Sequence, residues 1–205
     1  MKQKLFVGKM VATVIVSALL ILIACTKKEA PTAPTNLTAE LDGDCIHLSW
    51  NNVPHADYYR IKVAFEARDQ HNNPIGTYEV FLCETSSAVY EDRFPFEGTN
   101  YYKIEAVNEY GSSTCSEVSC YYPVNETVNL YPNPAINRVA LMLSLESPNN
   151  INHLTVMNNL GQEVCDVNFI GSVELDTSQC ESGIYLAHLF SENGEIIKRF
   201  VVAHE

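Results

Sequence analysis

Tyr102-Lys103-Ile104-Glu105-Ala106-Val107-Asn108-Glu109-Tyr110-Gly111 is the stretch on which the fold of this chain is decided. Tyr102, Ile104 and Ala106 alternate with Lys103 and Glu105. Successive side chains of a strand point to opposite faces, so this period of two reads as a strand with one face in a core and the other in water. Asn108 to Gly111 then ends it with turn-forming residues. The same period recurs outward in both directions. Upstream, Ile46, Leu48 and Trp50 alternate with His47 and Ser49, and Ile61, Val63 and Phe65 with Lys62 and Ala64. Downstream come Val139, Leu141, Leu143 and Leu145, then Leu154 and Val156, Val173 and Leu175, and Tyr185, Ala187 and Leu189. Asp42-Gly43, Asn73-Pro74, Gly76, Asn149-Asn150, Asn159-Leu160-Gly161 and Glu192-Asn193-Gly194 punctuate the runs. No apolar period of helical length competes. The expected fold class is all-β: two small antiparallel β-sandwiches, the second of six or seven strands.

Composition narrows the function classes. The 205 residues carry 13 Lys+Arg against 25 Asp+Glu, a formal charge of −12, and 46% are hydrophobic. That is globular material rather than a disordered tail. So acidic a chain lacks the basic surface that displaces counterions from a nucleic acid, and none is expected as a partner. There is no G-x-S-x-G, no H-E-x-x-H and no glycine loop to cradle a phosphate. The six histidines (47, 55, 71, 153, 188 and 204) are scattered, and His47 and His188 are expected to face solvent. Glu40, Asp42, Asp44 and Asp57 read as a turn and its surroundings rather than a calcium site, which needs six to eight oxygens fixed in space. Thin sandwiches offer little cleft. The expectation is a protein without catalytic residues, metal or cofactor.

The N-terminus is an address. Lys2, Lys4 and Lys9 precede Val11 to Ala24, an uncharged run too short for a spanning helix of roughly 20 residues and suited to a secretion signal. The run ends Leu22-Ile23-Ala24-Cys25, which resembles the lipobox of bacterial lipoproteins. That resemblance implies cleavage after Ala24, lipidation of Cys25 and a stable membrane anchor. Thr26 is not the Asp that retains some lipoproteins at the inner membrane, so the resemblance points to the outer membrane. Residues 25–35, polar and containing Pro31 and Pro34, read as a lipidated tether. Cys45, Cys83, Cys115, Cys120, Cys165 and Cys180 remain, an even number that permits disulfides outside the cytoplasm without specifying the pairing. Cys165 and Cys180 are candidates if the last part of the chain folds alone. Cys115 and Cys120, five apart, would face opposite ways on one regular strand.

Residues 36–123 resemble a fibronectin type III domain. Pro34-Thr35-Asn36-Leu37 is similar to the entry of its first strand, Ile46 to Trp50 to its second, Tyr58-Tyr59-Arg60-Ile61 to its third, and Tyr102 to Gly111 to its sixth strand and exit. One departure concerns the corner tyrosine of that family, whose position is taken here by Asn100, next to Tyr101. The doublets Tyr58-Tyr59, Tyr101-Tyr102 and Tyr121-Tyr122 should each send one ring inward and one outward. Three outward rings on one sheet would make a face for a protein or carbohydrate ligand.

Residues 124–205 resemble the C-terminal sorting domain of the Gram-negative type IX secretion system. The resemblance rests on Tyr131-Pro132-Asn133-Pro134, on the Thr155 to Val164 hairpin with Gly161, on Gly183-Ile184-Tyr185, and on the closing Lys198-Arg199-Phe200-Val201-Val202. Asn158 stands where Asp is common. The resemblance implies recognition by the secretion machinery during outer-membrane passage and, often, cleavage near residues 124–130. The chain is then organised as a signal peptide (1–24), a tether (25–35), a binding module (36–123) and a delivery domain (124–205), and it ends at the outer membrane, on the cell surface or secreted. The alternative is a permanent two-domain structural lipoprotein that is never cut.

Overall fold

The computed structural model describes residues 28–115, 117–144, 150–192 and 194–204. Leu22, Ile23, Ala24 and Cys25 lie outside the described residues. All regular structure among the described residues is β, in fifteen strands.

The first sandwich is built from β1 (Thr38–Asp42), β2 (Cys45–Ser49), β3 (Tyr58–Arg68), β4 (Pro74–Thr85), β5 (Val89–Asp92), β6 (Gly98–Asn108), β7 (Gly111–Thr114) and β8 (Val118–Tyr122). One sheet has the order β1-β2-β5; the other runs β4-β3-β6-β7, with β8 continuing along β6. All pairings are antiparallel. Three strands packed on four, with the last strand split, is the fibronectin type III arrangement. The alternation read in the sequence is the burial pattern. Ile46, Leu48, Tyr59, Ile61, Val63, Phe65, Tyr102, Ile104 and Ala106 all face the core, while Lys62, Lys103 and Glu105 lie between them on the other face. Trp50 meets Tyr59 edge-on at 5.3 Å, and Phe65 stacks on Phe96 at 3.8 Å. The Asp42-Gly43 signal becomes a two-residue hairpin, with Asp42 paired to Cys45. Gly43 has φ 59°, as the first central position of such a turn requires.

Asn100 resolves the missing corner tyrosine. It is fully buried at the start of β6. Its amide donates to the Phe96 carbonyl at 2.7 Å and accepts from the Phe96 N–H at 3.0 Å. A tyrosine hydroxyl at this corner bonds the backbone a few residues upstream; the Asn100 amide closes the same loop from a shorter side chain, using both its donor and its acceptor.

The second sandwich contains β9 (Val128–Tyr131), β10 (Arg138–Leu143), β11 (Asn152–Asn158), β12 (Glu163–Phe169), β13 (Ser172–Asp176), β14 (Gly183–Ser191) and β15 (Gly194–Val202). A three-stranded sheet, β13-β10-β9, faces a four-stranded one, β12-β11-β14-β15. Val139, Leu141, Leu154, Val156, Leu175, Tyr185, Ala187, Leu189 and Phe200 fill the space between them. This sandwich has its own corner: Tyr185 Oη donates to the Glu181 carbonyl at 2.8 Å, and its ring stacks on Phe200.

Two local readings change. Cys115 and Cys120 both pack against the first core. The last strand is interrupted between Thr114 and Val118, and a break removes the strict alternation that would have placed them on opposite faces. All six described thiols are free, and burial pushes those of Cys83, Cys115, Cys165 and Cys180 upward. The tether also differs from its composition. Pro31 and Pro34 are buried. The Glu29 carbonyl accepts from Asn108 Nδ2, the Pro31 carbonyl from Ser113 Oγ, and the Thr35 carbonyl from the Asn51 N–H. From Glu29 onward the segment therefore lies along the first sandwich.

Candidate functional site

The chemistry-bearing groups of the second domain converge on its seam with the first. On β15, Lys198, Phe200 and Val202 alternate with Ile197, Arg199 and Val201. Phe200 and Val202 enter the second core, while Val201 belongs to the first one, with Ile184 and Ala203 packed beside it. A single strand thus contributes to both cores.

Arg199 crosses to Asp92, at the end of β5. Its Nη2 donates to Oδ1 at 2.7 Å and its Nη1 to Oδ2 at 3.1 Å, a two-pronged pair with side chains 5% and 0% exposed. Asp92 also accepts from Tyr102 Oη at 2.8 Å and from the Phe94 N–H at 3.3 Å. Burial and the neighbouring carboxylate push the Tyr102 phenol upward, keeping it a donor. The guanidinium lies over the Phe96 ring, which is itself positioned by Asn100. Removing one member of such a pair strands a buried charge, and the cost is of order 3–5 kcal/mol.

A second cation crosses close by. Lys198 Nζ, buried, donates to Glu97 Oε1 at 2.5 Å, to the Asn125 carbonyl at 3.1 Å and to the Val128 carbonyl. Burial pushes this ammonium down and Glu97 opposes the shift. Glu97 also accepts from the Asn125 N–H, which fixes the connection between the sandwiches.

The sequence motifs find definite places. Tyr131 ends β9, and both X–Pro bonds of Tyr131-Pro132-Asn133-Pro134 are cis. Asn133 exchanges backbone hydrogen bonds with Arg68, at the end of β3, at 2.8 and 3.0 Å. Its side-chain oxygen accepts from the Val201 N–H at 2.9 Å. Pro132 and Pro134 lie at bends rather than in an extended strand, and Asn133 and Ala135, between and after them, make single bridges to Arg68 and Val202. Gly161, at φ 74°, turns the β11–β12 hairpin. There the Asn158 side-chain oxygen accepts from the Leu160 and Gln162 N–H groups; an amide oxygen serves where a carboxylate is common. Gly183 and Ile184 open β14, and Tyr185 is the corner residue already described. Sequence reasoning missed Asp92 and Glu97. Asp92 stands in the run Glu91-Asp92-Arg93, which reads as solvated surface, yet it is fully buried, with Arg199 of the second sandwich against it.

Between the sandwiches lies a cleft of about 1030 Å³, bordered by Phe94, Tyr122, Val124, Ile196 and Ile197. This corrects the expectation of little cleft: neither sandwich has it alone, and docking creates it. Among the described residues no histidine, serine, threonine or cysteine lines it, and no cluster suits a metal ion.

Each tyrosine doublet splits as its alternation requires: Tyr59 and Tyr102 are in the core, and Tyr58, Tyr101 and Tyr121 are outside it. Tyr101 and Tyr121 are diagonal neighbours on β6 and β8. Tyr58 is six positions away along β3, about 20 Å. The three rings therefore form a pair and a single rather than one platform. Between them Arg60, Lys62 and Lys103 pair with Glu84, Glu105 and Glu79. His47 faces solvent, whereas His188, outward on β14, is covered by Phe190 and paired with Glu195.

Fold and seam together define a two-sandwich protein whose second half closes on the first through its own terminal strand. Residues 129–203 match the family model of the secretion system C-terminal sorting domain, and the second sandwich is a domain of that family. It is the part of the chain that engages the secretion machinery, for export to the cell surface or beyond. No curated protein matches the chain. Similar solved structures include a two fibronectin type-III domain segment from chicken tenascin, at 13% identity over 82% of this chain and 98% of that one, with a TM-score of 0.33. The FN1–FN3 domains of chicken CNTN1 share 11% identity over 85% and 68%, with a TM-score of 0.32. Dimeric latent PorU from Porphyromonas gingivalis shares 10% over 97% of this chain but 21% of that one, also at 0.32.

Proposed function

We propose that this is a non-enzymatic envelope protein: a fibronectin type III module that binds a protein or glycan, delivered by its C-terminal sandwich and held by lipid on Cys25. The observation that carries the delivery half is the sorting-domain match over residues 129–203. The binding half is supported by the outward pair of exposed Tyr121 and half-buried Tyr101 at one end of the larger sheet. Lipid on Cys25 would hold the first sandwich close to the membrane, because the chain is packed from Glu29 onward.

The test is localisation in a Gram-negative host that has a type IX system. The intact chain is expected to be shaved from whole cells by protease, the chain ending at Pro123 to remain inside, and Cys25→Ala to lose membrane association. Surface exposure of the shortened chain would overturn the delivery reading. Intact mass without added acyl groups would overturn the lipid reading.

A further inference from the structure

We infer that the first sandwich is a docking partner for the second in its own right, so that the sorting domain stays bound after the connection between them is cut. The seam has the composition of a specific interface: an apolar centre, one charged pair closed off from water and a second at its edge, where Glu97 is partly exposed. Its apolar part is Val201 with Ile184 and Ala203 against the first core. Its anchors are the Asp92–Arg199 fork and the bonds from Lys198 to Glu97. Its third element is the backbone bridge between Arg68 and Asn133. None of these contacts passes through Pro123 or Val124, where the chain crosses and Val124 is half exposed. Asn125 of the connecting peptide does touch the seam, through its N–H to Glu97, but it lies on the far side of that crossing and stays with the second sandwich when the chain is cut between Pro123 and Val124. The covalent link itself only raises the local concentration of one half near the other.

Asp92 supports the same assignment. With the second sandwich absent, a carboxylate now fully enclosed would keep only Tyr102 and the Phe94 N–H as partners. Val201 would be exposed on the other half. Both halves lose when they separate. While they are joined, the outward side of β15 at Arg199 and Val201 is covered, so any partner that reads those residues must first displace the first sandwich. The inference rests on the seam alone and does not require the export reading.

The experiment uses the full chain with a protease site inserted between Pro123 and Val124 and an affinity tag after Glu205. After complete cutting, the N-terminal half is expected to remain on the tag resin through extended washing. Asp92→Ala and Arg199→Met should each speed its release by about a hundredfold or more, the lower end of what breaking a buried pair costs. Arg199→Met lies in the other half, so it carries the test if Asp92→Ala does not fold. Asp92→Leu with Arg199→Met should restore retention, because both charges leave together. Immediate separation of the unsubstituted halves, each folded by circular dichroism, would overturn the inference. So would release unchanged by Arg199→Met.

Discussion

At the scale of single residues, three polar side chains hold what apolar burial leaves unpaired: Asn100, Asp92 and Arg199. Asn100 satisfies both backbone groups of Phe96 inside the core. Asn100→Ala is expected to cost about 2–3 kcal/mol in urea unfolding, because it leaves a buried donor and a buried acceptor without partners. Asn100→Asp should recover only part of this, since a carboxylate accepts and cannot donate. Asp92→Ala should cost about 3–5 kcal/mol, while Asp92→Leu combined with Arg199→Met should lie within about 1–2 kcal/mol of the parent. A double-mutant cycle of unfolding free energies checks both.

At the scale of elements, the β3–β4 hairpin depends on one carboxylate. Asp69 accepts from the Asn73 N–H at 2.8 Å, from the Asn73 side-chain amide at 3.2 Å and from the His71 N–H at 2.8 Å, and these bonds hold its carboxyl below its ordinary value of 3.8. A carboxyl lowered in the folded state contributes stability that is complete above the unfolded value and is lost as pH falls through the folded one. Amide exchange should therefore show Asn73 protected at pH 5 and progressively less so below about pH 3.8, with the β6 amides unchanged over the same interval. Asp69→Asn, which keeps the acceptor without the charge, should remove that pH dependence.

At the scale of the whole molecule, two thin sandwiches become one body through β15 and the Asn133 bridge. The N-terminal segment joins it, with Pro31 and Pro34 buried. A protease of broad specificity should therefore leave a resistant fragment that begins near Glu29 rather than at Thr35, read by intact mass. A start at or beyond residue 35 would show that this segment is free. Unfolding should be a single transition in the intact chain, since Val201 and Arg199 couple the two cores. Arg199→Met should split it into two, because the coupling contact is lost while each core keeps its own apolar residues.

Alternation, turn residues and terminal motifs determined the all-β class, the inward and outward faces of the strands whose apolar residues alternate (β2, β3, β6, β10, β11, β13 and β14), and the signature of the sorting domain. These are local properties: a period of two reports which face is buried whatever lies opposite it. The replacement of the corner tyrosine by Asn100 was visible in the sequence as a departure, but its remedy was not, because the remedy is a side chain reaching back to Phe96. The packed course of residues 29–35 was hidden for the same reason, as a polar composition is silent about a sandwich edge that can accept it. Tertiary structure alone decided the seam. Asp92 sits among charged neighbours and Arg199 in a basic pair, and nothing in their separation of 107 positions links them. Their burial follows from two separately specified surfaces meeting, and a long-range encounter of that kind leaves no period in the chain.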